Sequence, residues 1–74
     1  MKSPGLKMTK IYKIETRRGF VCLPEKIGNY SFPLSFGSTQ AATEFFGLLS
    51  AQKSLKYFNL DKKPYWGHVE EFED

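Results

Sequence analysis

At 74 residues, with 41% apolar side chains, a formal net charge of +3 and one cysteine, the chain is at most one small domain. A domain this short buries only about 60% of the surface its unfolded chain exposes. Pocket walls would compete with the core for the same apolar residues, which argues against an enzyme, and Cys22 alone excludes the disulfide-stapled secreted class.

Twelve large rings (seven Phe, four Tyr, one Trp) mark a folded chain rather than a disordered one. No apolar run approaches the roughly 20 residues a membrane span needs. The N-terminal "MKSPGLKMTK" lacks the apolar stretch of a secretory signal. A cytoplasmic protein that does not enter a membrane is the expectation. Residues 1–7 read as a flexible lead-in, 8–72 as a single domain and 73–74 as an acidic end.

In chain order, "MTKIYKIE" at 8–15 alternates, with Tyr12 and Ile14 on one side and Ile11 and Lys13 on the other. That period and its β-formers predict a strand. "TRRG" predicts a tight turn, with Gly19 free to take positive φ. "FVCLP" then returns as a second strand that ends at Pro24. Residues 25–37 mix turn residues with Tyr30, Phe32, Leu34 and Phe36, and predict a short edge strand or an aromatic loop.

A helix is predicted from Ser38 or Thr39, as N-cap, to about Gln52–Ser54. Ala42, Phe45, Phe46 and Leu49 fall at i, i+3, i+4 and i+7 and would form its apolar stripe. Gly47 would cost about 1 kcal/mol inside such a helix. "LKYFNL" at 55–60 suits either more helix or a strand, and "DKKP" suits a turn. "YWGHVEEF" predicts a last strand, with Tyr65 and Val69 on one face and Trp66, His68 and Phe72 on the other. The expected fold class is α+β: a small antiparallel β-sheet in the order β-β-(β)-α-β-β, with one amphipathic helix packed on one face.

Charge is sorted along the chain. Residues 1–26 hold seven Lys or Arg against Glu15 and Glu25, while the last five residues hold four acids. A basic surface for an anionic partner with a solubilising acidic tail is one expectation, and ordinary solvated surface is the other.

The sequence nominates no catalytic, cofactor-binding or metal-ligating residue. It contains one histidine, His68, and one cysteine, Cys22, far apart. Cys22 lies in an apolar run, where cysteine acts as a small hydrophobe. No glycine-rich phosphate loop is present, although "SFGST" would place a helix start where an anion can sit.

Two constellations are suited to binding. Tyr57, Tyr65, Trp66, His68 and Phe72 are the candidates for protein contact, because Trp and Tyr anchor interfaces. Lys10, Lys13, Arg17, Arg18 and Lys26, interleaved with Tyr12 and Phe20, are the candidates for nucleic acid or another anion. The leading expectation is a small non-enzymatic protein that binds a larger protein partner as regulator, adaptor or inhibitor, as phage-encoded inhibitors and small bacterial regulators do. The rivals are a nucleic-acid-binding module on the basic hairpin and a self-associating subunit, such as a homodimer.

Overall fold

A computed structural model describes residues 10–73. The expected lead-in at 1–7, the start of the first strand at Met8 and Thr9, and Asp74 lie outside the described residues. The elements are β1 (Lys10–Thr16), β2 (Gly19–Cys22), β3 (Glu25–Ile27), β4 (Tyr30–Phe32), β5 (Ser35–Gly37), α1 (Leu48–Tyr57) and β6 (His68–Glu73). A four-stranded antiparallel sheet runs β5-β2-β1-β6, and β3 and β4 form a separate two-stranded sheet. The class is α+β, as expected.

The β1–β2 hairpin forms where the alternation and "TRRG" place it. Thr16 pairs with Gly19, so Arg17 and Arg18 are the loop. Thr16 Oγ1 donates to Gly19 O at 2.9 Å and accepts from Arg18 N at 3.0 Å. Gly19 takes φ +125°, a region that favours glycine.

The register sorts the side chains into two faces. Tyr12, Ile14, Val21, Phe36 and Val69 share one face, and Phe45, Ala51 and Leu60 close over it to make the core. Ile14, Val21, Ala51 and Leu60 are fully buried. Helix α1 packs against β1 and β6.

The helix is shorter than its predicted span and starts later. Ser38 and Thr39 do begin a turn, with Ala41 N donating to Ser38 O at 3.1 Å and Ala42 N to Thr39 O at 3.3 Å. The turn does not propagate, because the next backbone groups bond to the sheet. Thr43 N donates to Val21 O at 3.1 Å, and Phe45 exchanges both backbone bonds with Tyr12 at 2.7 and 2.8 Å. Thr43–Phe45 thus bonds to both β2 and β1, beyond their Glu15–Phe20 pair. Only then does α1 start, behind an extended Gly47. The predicted stripe is split accordingly. Ala42 and Phe45 are buried from the crossing segment, while Phe46 and Leu49 are exposed.

Residues 55–60 end the helix and form no strand. Asn59 takes φ +56°, Asn59 N donates to Lys56 O at 3.1 Å and Leu60 N to Leu55 O at 2.8 Å. These two bonds are a Schellman closure, with Asn in the left-handed position that glycine more often fills. The last strand, β6, therefore has no partner at 55–60 and pairs with β1.

β6 also starts late. Trp66 takes φ +49°, which removes it from the strand alternation, and Gly67 N donates to Leu60 O at 2.6 Å. Trp66 consequently does not share a strand face with His68 and Phe72, contrary to expectation.

Candidate functional site

The acidic end is a strand, and its partner is the basic strand. Lys10 lies opposite Glu73, Tyr12 opposite Glu71 and Lys13 opposite Glu70. Opposite charges across neighbouring strands stabilise a pair. Part of the charge sorting, Lys10 and Lys13 against Glu70, Glu71 and Glu73, thus lies on two paired strands rather than on a free tail.

The basic candidates do not converge. Lys10 Nζ lies 3.4 Å from Glu71 Oε2, and that hydrogen bond and charge raise the Lys10 pKa. Lys13, on the opposite face, donates to Thr39 O at 2.7 Å and sits 5.1 Å from the centre of the Phe72 ring. Arg18 lies 5.7 Å from the Tyr65 ring centre, while the Arg17 backbone N donates to Tyr65 O at 2.9 Å. Lys26 is on the separate β3–β4 hairpin. The anion site imagined at "SFGST" has no helix behind it, since α1 begins at Leu48.

The aromatic candidates are dispersed as well. Tyr65 stacks on Phe36 at 5.3 Å and is partly buried. Phe72 meets Phe20 at 6.2 Å on the sheet face opposite the core. Trp66 is half-exposed in the turn before β6. Tyr57 is 79% exposed on α1, edge-on to Phe58 at 4.8 Å. Cys22 donates its thiol to Ala41 O at 3.3 Å, the modest role expected of a small half-buried side chain.

Three features were not assembled from the sequence. The first is the outer surface of α1. Leu49, Lys53 and Lys56 fall at i, i+4 and i+7, on the side away from buried Ala51. Leu49 is 72% exposed, and Tyr57 extends the surface. Two depressions of about 360 and 640 Å³ share Lys53 and Lys56 as lining. Leu49 and Gln52 also line the smaller one, and Tyr57 and Phe58 the larger. Helix α1 carries no acidic residue.

The second feature is the β3–β4 hairpin. Its register places Ile27, Tyr30 and Phe32 on one face, and all three are exposed. The third surrounds His68. Glu15 lies directly opposite it on β1, and Glu70 follows two residues later on the same face. His68 Nε2 is 2.5 Å from Glu70 Oε2 and 3.6 Å from Glu15 Oε1. The lone histidine thus has two carboxylate companions, which only the β1–β6 register brings together.

Among the described residues, no helix is long and apolar enough to cross a membrane. No protein-family model matches the chain, and no curated protein or solved structure is significantly similar to it.

Proposed function

We propose that this chain is a non-enzymatic protein-binding module whose contact surface is the outer side of α1. The observation that carries the proposal is the exposure of Leu49 and Tyr57, which line two depressions that share Lys53 and Lys56. Soluble proteins scatter single apolar residues over their surface, but a clustered apolar patch beside depressions is a feature of contact sites. Aromatic anchors and leucine supply the contact area, and the lysines favour a partner surface that combines apolar and acidic side chains. The partner is a larger protein, toward which the chain acts as regulator, adaptor or inhibitor.

Affinity capture from the native host, with nuclease treatment, tests this reading. The Leu49→Asp/Tyr57→Asp variant should keep its fold and lose the protein that the wild type retains. If both capture the same proteins, the contact lies elsewhere; if the wild type retains only nucleic acid, the rival reading stands.

The β3–β4 hairpin supports self-association as a second reading. A two-stranded hairpin is marginally stable alone in water, and its Ile27, Tyr30 and Phe32 face is exposed. Antiparallel pairing of β4 with β4 of a second copy, centred on Ser31, would set each Tyr30 across from a Phe32. Sedimentation over a concentration series tests it: the mass should rise in the wild type and stay monomeric in Tyr30→Ser/Phe32→Ser.

A further inference from the structure

We propose that Glu15, His68 and Glu70 form a binding site for a first-row divalent transition-metal ion, with Zn²⁺ as the reference ion. The inference does not depend on the partner reading. His68 and Glu70 project from one strand on one face, and Glu15 projects beside His68 from the next strand. The three ligand atoms lie within 4.8 Å of one another. Zinc bonds to imidazole nitrogen and carboxylate oxygen are about 2.0–2.2 Å long, so tetrahedral ligand atoms stand roughly 3.4 Å apart. The His68–Glu15 separation of 3.6 Å already matches, and the 2.5 Å His68–Glu70 contact opens by about an ångström as an ion replaces the bridging proton. Both glutamates reach the ion through side chains that rotate, from strands that hold their Cα positions.

One imidazole with two carboxylates suits zinc and its neighbours, whereas calcium and magnesium take oxygen ligands. Among the described residues, Lys13 stands opposite Glu70 and on the same face, where it could compete for the carboxylate. Its ammonium is instead bonded to Thr39 O and lies near the Phe72 ring. Three protein ligands leave at least one coordination position for water, the arrangement of an open rather than a closed site.

The test is calorimetric titration of the tag-free full chain with Zn²⁺, repeated on His68→Gln, Glu70→Gln and Cys22→Ser. Metal-free melting first checks that each variant is folded. Expected is one ion per chain, with His68→Gln and Glu70→Gln each weaker by at least the roughly tenfold that even an outer-sphere partner is worth. Cys22→Ser should bind as the wild type does. Amide shifts on Co²⁺ addition should centre on residues 15, 68 and 70. No saturable binding at millimolar ion, unchanged affinity in His68→Gln, or loss in Cys22→Ser would each overturn the site.

Discussion

Glu15 and His68 stand opposite each other on β1 and β6, with a Glu15 carboxylate oxygen 3.6 Å from His68 Nε2. The pair is the end of a ladder that runs to Lys10 opposite Glu73. This ladder joins the two ends of the described chain and places β1 inside the sheet, between β2 and β6. It also makes β6 a structural strand, with Glu71 beside Lys10.

Gly67 is predicted to be intolerant of any side chain. A Cβ there would lie 2.7 Å from Leu60 O and 3.0 Å from Thr16 Cγ2. The first of these is backbone and cannot turn aside. Gly67→Ala should cost about 1–3 kcal/mol, as overpacking does, and lower the melting temperature by at least about 4 °C in a domain of this size. Thermal denaturation followed by circular dichroism checks it.

Asn59 should tolerate glycine and resist β-branched residues. Its φ of +56° closes the helix, and a left-handed residue other than Gly or Asn costs roughly 1–2 kcal/mol. Asn59→Gly is expected to leave stability unchanged or slightly raised, and Asn59→Val to lower it by about that amount. Urea unfolding midpoints at constant slope measure both.

Leu60 and Leu49 should behave as opposites. Leu60 is fully buried beside Ile14, Val21 and Ala51, and Leu49 is largely exposed. Leu60→Ala should lose about 2–5 kcal/mol through lost burial and a cavity. Leu49→Ala should stay within about 0.5 kcal/mol. Equal losses at the two sites would show that Leu49 belongs to the core.

Local patterns in the sequence were legible, and pairings between distant segments were not. The β1–β2 hairpin was readable because alternation and the "TRRG" turn are contained within neighbouring residues. Ala42 and Phe45 are buried, as their apolar spacing predicts, but they lie outside the helix. Their spacing fits a helix, while the bonds from Thr43 and Phe45 to Val21 and Tyr12 come from far along the chain. Asn59 and Trp66 adopt left-handed backbone without being glycine, so the breaks before and after the last turn carried no obvious signal. The same limit hid the Glu15–His68–Glu70 cluster, since only the strand register joins β1 to β6. Because α1 begins only at Leu48, Phe46 lies outside the helix and Leu49 on its exposed side.

The most direct test of the binding surface is site-specific photo-crosslinking in the native host. A photoreactive residue is placed at Leu49 or Tyr57 on α1 and, as a control, at Arg17 in the β1–β2 turn. The outer surface of α1 predicts a discrete protein adduct from positions 49 and 57 and none from 17. Adducts only from position 17, or to nucleic acid rather than protein, would contradict it.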